Sequence, residues 1–445
     1  MYDECLHSVI LWYKTAKCGM LLGMKKKTTG NKNRISPLKA FFITFTTVVG
    51  CGLLFMFGYL LLSGSGTAFG SADQESGFLR VFWEAIPEDA KGQKTDGSGG
   101  DGTRYGALLA DEEAMREGNI YAMPNRKEGV VSLGFVGDIL FDDEYAVMAN
   151  LLNRGVTIEN GISEELLAQM QGVDILMANN EFAYTDRGTP TEGKTYTFRA
   201  DTESVGYLKD MGVDIVSLAN NHCYDFGETG LLDTLTTLEE AEIPCVGAGR
   251  NLEEAAEPVY FISGDIKIAI VSATQIERLD YPDTKGATDN SPGVFRCWNP
   301  EKLYEVVTEA KENSDFVIVF IHWGTENVAE PDWAQLEQAP KLAEAGADLV
   351  IGAHPHCLQG IQYYGDVPVV YSLGNFWFNS KTVDTCLFKV NITKDGLESM
   401  QFIPAIQKDS RTDLAYGSES QRIISYMESI SYGATIDSQG FVGKR

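Results

Sequence analysis

Between Gly129 and Lys408 short apolar runs alternate with stretches of helical period. The runs Val131–Gly137, Val173–Ala178, Val213–Leu218, Lys267–Ala273, Phe316–Ile321, Leu349–Gly352 and Val367–Leu373 read as strands. Glu164–Gln171, Glu203–Met211, Glu228–Glu242, Pro300–Lys311 and Trp333–Ala345 read as helices. Gly172, Gly212 and Gly346 each precede a hydrophobic residue and an aspartate, where glycine can end a helix in a left-handed conformation. Strands alternating with helices imply right-handed crossovers and an α/β fold with a largely parallel sheet covered on both faces. The later runs Cys386–Ile392 and Met400–Ile403 read as a second sheet packed on the first.

The N-terminal third has a different pattern. Leu38–Leu62 carries one charge, Lys39, and from Ala40 it runs 23 residues without any. A helix needs about 20 residues to cross a bilayer. Lys25, Lys26, Lys27, Lys32 and Arg34 precede it, so the positive-inside rule puts residues 1–37 in the cytoplasm and everything after Leu62 outside. The run is long for a signal peptide, and Ser63–Ala68 makes a poor cleavage site, so 38–62 reads as one uncleaved transmembrane anchor. Met24, followed by three lysines, reads as a start codon position in its own right. Residues 63–128, loosest at Gly97–Gly102, read as a flexible stalk with a short helix near Ala107–Arg116. The folded domain then covers 129–408, and 409–445 reads as a polar C-terminal tail.

Formal charge is −27, unevenly spread: the first 39 residues hold +6, which leaves about −33 on the rest. So acidic a body excludes a general nucleic-acid binder, which needs a basic face. It also repels a polyanion unless a cation stands between them. Of eight cysteines, the outer five (Cys223, Cys245, Cys297, Cys357, Cys386) are odd in number and form no CxxC pair. Neither a disulfide framework nor a zinc ribbon is indicated.

Candidate chemistry lies where the apolar runs stop. Asp138 ends VSLGFVGD, Glu181 ends VDILMANNE, and Asn220-Asn221-His222 ends VDIVSLANNH. His322 ends DFVIVFIH, His354-Pro355-His356 follows DLVIGA, and Asn375 ends PVVYSLGN. The carboxyl ends of strands in an open α/β sheet share one rim, so these distant residues should converge. The sequence has five histidines, and four of them lie in this set. A mixed oxygen and nitrogen donor set suits a divalent Mn, Zn or Fe ion rather than a thiolate site.

The ordered series GD, NNE, ANNHCYDFGETG, HWGTE, GAHPHCLQG and YSLGNF resembles the CapA family of poly-gamma-glutamate capsule synthesis proteins, over roughly Val131–Phe378. That family is similar to the calcineurin-like metallophosphoesterases, so the resemblance implies a four-layered αββα sandwich with one or two divalent metals on strand-end loops. By the same resemblance Asp138 is a ligand from the first strand and Glu181 a bridging carboxylate. Asn221, His322 and His354 hold one metal, and His356 helps to hold the other. His222 faces substrate and protonates the leaving oxygen while a metal-activated water attacks phosphorus in line. The phosphoesterase pattern has a histidine two residues after the first aspartate, where this chain has Leu140, and an acidic residue where it has Cys223. Asp225 either orients the His222 imidazole in place of that residue or caps the loop.

Arg199, Asn220, Glu326 and Asn375 are the candidates for contacting substrate; Arg199 could equally pair on the surface. Trp323 either lines the cleft or belongs to the core. Three functions remain open. The first is a metal-dependent hydrolase or transferase acting on an anionic envelope polymer or its precursor, alongside other capsule-synthesis membrane proteins. The second is a non-catalytic scaffold that binds or exports the polymer, and the third a phosphoesterase on nucleotides or other phosphoesters.

Overall fold

The computed structural model describes residues 103–276 and 284–445, so the expected membrane helix 38–62 lies outside the described residues. Among the described residues no helix is long and apolar enough to cross a membrane. All seven expected strands and all five expected helices form, with ends shifted by a residue or a few. Their distribution differs from a single parallel sheet. Val131–Ile139, Ile175–Asn180 and Ile215–Ser217 lie side by side and parallel in one sheet. Ile266–Thr274, Phe316–His322, Leu349–Ala353 and Val367–Leu373 lie parallel in another. Both sheets are mixed. Val383–Thr393 and Gly396–Lys408 form a long antiparallel hairpin, but it extends the first sheet beside Val131–Ile139 instead of building a separate one.

Side chains alternate across each strand, and that alternation defines the layers. Ile175 and Met177 point between the sheets, where they meet Ile268, Ile270, Ile318, Phe320 and Ile351. Leu176 and Ala178 point the other way, onto the helices Ala146–Arg154, Glu164–Met170 and Gly227–Glu240. On the far side Ala269, Val271, Val317 and Val319 pack under Glu301–Glu312 and Trp333–Ala345. Helices therefore cover the outer face of each sheet, and the two inner faces share a core. Each fully buried Leu, Ile or Phe there contributes about 1.5–3 kcal/mol. Gly212 and Gly346 do end their helices in the left-handed region, while Gly172 does not.

The described end of the expected stalk, residues 103–128, and the expected tail both carry structure. Gly106–Leu109 and Glu112–Glu117 are helical, and Ile120–Ala122 pairs with Val259–Ser263 at the edge of the second sheet. After Lys408, Arg411–Leu414 and Phe441–Lys444 both pair with Gly396–Lys408. The helix Gly417–Ser429 buries Ile423, Ile424 and Met427 in the core between the sheets. Three apolar residues on one helical face were enough to anchor a segment whose composition is polar.

One connection positions the site. The chain leaves the second sheet at Leu373, turns at Gly374 (φ 67°) and enters the first sheet as Asn375–Trp377. That strand runs parallel to Val131–Ile139, with Asn375 opposite Asp138. The approach is close: a Cβ on Gly137 would sit 1.8 Å from the Gly374 carbonyl oxygen.

Candidate metal centre

The strand ends of both sheets open on one rim, and the polar residues that terminate them meet there. His322 Nε2 lies 2.8 Å from Asn221 Oδ1 and 3.0 Å from His354 Nδ1. Its distance to Glu181 Oε1 is 3.7 Å. On the other side His356 Nδ1 lies 3.1 Å from Asp138 Oδ2 and 2.8 Å from Asn375 Oδ1. The closest contacts thus sort Asn221, His322 and His354 together, and Asp138 with His356. Glu181 belongs with both sides, since its carboxylate is within ligand reach of Asp138 and His322 and also of His354 and His356.

The backbone at the turn is strained to achieve this. His354 and His356 have φ of 98° and 57°, a region that costs a non-glycine residue roughly 1–3 kcal/mol. Trp323 N–H donates to the Ala353 carbonyl and Asn327 N–H to that of Pro355, which holds the turn in place.

The electrostatics fit a cation. Glu181 is fully buried and its Oε1 accepts no hydrogen bond. Burial, together with the neighbouring Asp138 and the Glu326 charge, holds the Glu181 carboxyl well above its usual range. Burial pushes His322 and His354 well below theirs, reinforced by the other imidazoles, so both are neutral with lone pairs to give. His356 is raised: burial opposes its charging, but Asp138, Glu326 and Asn375 outweigh it. Ionising a buried carboxyl without a partner costs several kcal/mol, a cost that a divalent ion among these donors would offset.

His222 stands beside the cluster, with Nε2 3.9 Å from Glu181 Oε1. Its Nδ1 is 2.7 Å from Asp225 Oδ2, which also accepts from Phe198 N–H at 2.7 Å. Asp225 therefore orients the imidazole, and it caps the loop as well. Burial lowers the His222 pKa against the opposing pull of Asp225. The Phe198 ring packs on the imidazole, with 4.2 Å between centroids.

Not every candidate faces the cluster. Asn220 is spent within the protein: Oδ1 accepts from the His222 and Cys223 N–H groups, and Nδ2 donates to the Asn180 carbonyl. A substrate role for it is not what its contacts show; it shapes the loop that presents Asn221 and His222. Arg199 is half-buried with its guanidinium over the Phe226 ring, 4.8 Å from the centroid. Trp323 is core, donating to the Tyr371 carbonyl. Glu326 is exposed and reaches the cluster through its charge. Cys223, Cys245, Cys297, Cys357 and Cys386 are all free thiols.

Two residues that the sequence did not single out matter here. Asn179 Nδ2 donates to Asp138 Oδ1 at 2.7 Å and lies 3.3 Å from His322 Nδ1. It stands within the NNE run, one place ahead of the strand end. Lys194, almost fully buried, reaches Asp225 Oδ1 at 2.5 Å and also donates to the Asn221 carbonyl. Nothing but its place four residues before Phe198 marks it in a polar loop.

Two facing sheets with helices outside, and a rim of carboxylates, amides and imidazoles in which two groups of side chains have the spacing of metal ligands, define the class of α/β protein. The bacterial capsule synthesis protein family PGA_cap matches residues 132–380, and the chain belongs to that family. It is 31% identical over 288 residues to the PGA biosynthesis protein CapA of Bacillus subtilis (strain 168), covering 62% of this chain and 72% of that one. It is 27% identical over 327 residues to the capsule biosynthesis protein CapA of Bacillus anthracis, covering 71% and 77%. Among solved structures, TT1561 of Thermus thermophilus overlaps 60% of this chain and 97% of its own at 11% identity. The TM-score of that overlap is 0.33.

Proposed function

We propose that this chain is a metal-dependent, metallophosphoesterase-like hydrolase or transferase acting in capsule synthesis or export, on poly-gamma-glutamate, another anionic envelope polymer or a precursor of one. The observation that carries the reading is Glu181, buried and unpartnered on one oxygen between neutral His322 and His354 and the Asp138–His356 pair. The names of the two Bacillus relatives supply the capsule and the polymer. The segment 38–62 would tether the domain to the outer face of the membrane.

Asn221, His322 and His354 would hold one ion and Asp138 and His356 the other, with Glu181 between them. Bound there, such ions neutralise the charge of an anionic substrate and make a coordinated water acidic. Asp225, held by Lys194 and the Phe198 N–H, accepts a hydrogen bond from His222 Nδ1–H. Nε2 is left on the side of Glu181, where it can take or return a proton as a general acid–base group. The wall made by Phe198 and Phe378, against His222 and His356, shields that exchange from water.

A second reading, polymer binding without turnover, is favoured by Leu140 in the place of the phosphoesterase histidine. The test that separates them is turnover by the full-length protein loaded with Mn, Zn or Fe, on phosphomonoester, phosphodiester and γ-glutamyl amide substrates. Catalysis predicts activity that His222→Ala lowers by about 10²–10⁴-fold while metal content stays unchanged. A metal-loaded protein that turns over none of these substrates but binds the polymer supports the second reading.

A further inference from the structure

A ligand set of Asp138, Glu181 and His356 leaves one side of the cluster a donor short. In the phosphoesterase pattern the missing donor is a histidine two residues after the aspartate. Here that residue is Leu140, buried among the apolar side chains on the helix-covered face of the first sheet. Its backbone N–H donates to the Trp377 carbonyl, so the segment after Asp138 is zipped to Asn375–Trp377. No rotation of residue 140 toward the rim is compatible with that packing.

The same short strand brings a different donor. Asn375 sits opposite Asp138 in parallel register, and Asp138 N–H donates to the Gly374 carbonyl at 3.1 Å. Gly137 permits this approach because any side chain there would collide with that carbonyl. Asn375 is 2% exposed. Its Oδ1 lies 2.8 Å from His356 Nδ1, and the same nitrogen lies 3.1 Å from Asp138 Oδ2. Amide oxygen, carboxylate oxygen and imidazole nitrogen therefore crowd one point, from three separate segments of chain. Neighbouring ligands of a divalent ion stand roughly 3 Å apart when each is about 2.1 Å from the metal. Glu181 is within ligand reach of Asp138 in one group, with His322, and of His356 in another, with His354.

We propose that Asn375 is a metal ligand, completing with Asp138, Glu181 and His356 the position that Leu140 leaves without its histidine. This rests on the reading of the rim as a metal centre. It moves Asn375 from contacting substrate to holding the ion. An amide in place of an imidazole makes that position harder and more oxygen-rich than the one formed by Asn221, His322 and His354. Relative to the position formed by Asn221, His322 and His354, it therefore discriminates less strongly for Zn²⁺ against Mn²⁺ and Fe²⁺.

A residue that only hydrogen-bonds His356 would also weaken binding when removed, so the test must report the metal's own bonds. Full-length wild type, Asn375→Ala and Asn375→Cys are titrated with Co²⁺ and followed by absorption and elemental analysis. Wild type is expected to take up two equivalents without a thiolate-to-cobalt charge-transfer band. Asn375→Cys is expected to show that band at one equivalent, since only a directly bonded sulfur produces it. Asn375→Ala is expected to bind one of its two equivalents at least tenfold more weakly and to keep the other. Two equivalents in Asn375→Cys with no band, or unchanged binding in Asn375→Ala, overturns the assignment. A folded wild type that takes up no metal overturns the metal reading itself, a separate outcome visible before any variant is made.

Discussion

Replacing Lys194 with Met should cost this protein about 3 kcal/mol of stability and loosen the loop that holds His222. The side chain of Lys194 is 5% exposed and that of Asp225 fully buried, with 2.5 Å between Nζ and Oδ1. Removing one partner of a buried ion pair typically costs 3–5 kcal/mol, because the other charge is left without compensation. Asp225 would keep two donors, His222 Nδ1–H and Phe198 N–H, which puts the expected cost at the low end. Met retains the apolar stem of lysine, so packing changes little. The pair also ties the loop: Thr191 N–H donates to the Asp225 carbonyl, and Lys194 reaches the carbonyl of Asn221. The assay is urea unfolding of Lys194→Met, Asp225→Asn and the double variant. Neutralising both partners removes the stranded charge, so the double variant should lose less than the sum of the singles by at least about 1.5 kcal/mol. A Lys194→Met cost below about 1 kcal/mol, with a coupling near zero, would refute the reasoning.

Gly137→Ala should destabilise the fold by more than about 4 kcal/mol, because its Cβ would lie 1.8 Å from the Gly374 carbonyl oxygen and must drive two strands apart; thermal unfolding near the wild-type temperature would contradict this. Asp214 is half-buried at the surface, and desolvation lifts its carboxyl from 3.8 to about 7. Between those values the folded state keeps a proton that the unfolded state has released. Its contribution is therefore complete below pH 4 and is lost as pH rises to about 7, on the order of 4 kcal/mol in all. The difference in stability between wild type and Asp214→Asn, followed by denaturant unfolding from pH 4 to 8, should show that slope and then flatten.

Much of the fold can be read in the sequence because the strands are long apolar runs stopped by polar residues, and the helices are amphipathic. The division into two sheets cannot. A strand buried on both faces has the same composition in either sheet, so Val131–Ile139 and Phe316–His322 look alike. What separates them is the pairing of the late hairpin and the crossing at Gly374, both tertiary events. The C-terminal helix was hidden for another reason: Ile423, Ile424 and Met427 are its whole buried stripe, thin against a polar background. In the site, residues that end strands announced themselves. Asn179 and Lys194 did not, because a hydrogen bond between distant segments leaves no periodic trace. Asn375 was visible as a strand end, but its register with Asp138 comes only from the strand pairing.

The central claim is that carboxylates, amides and imidazoles from two sheets form one metal centre. The measurement that tests it most directly is elemental mass spectrometry of the full-length protein and of its His354→Ala, His356→Ala double variant. About two transition-metal equivalents in the parent, and none or a small residue in a variant that remains folded, is the predicted result. A folded parent that stays free of metal after reconstitution with Mn, Zn and Fe would contradict it.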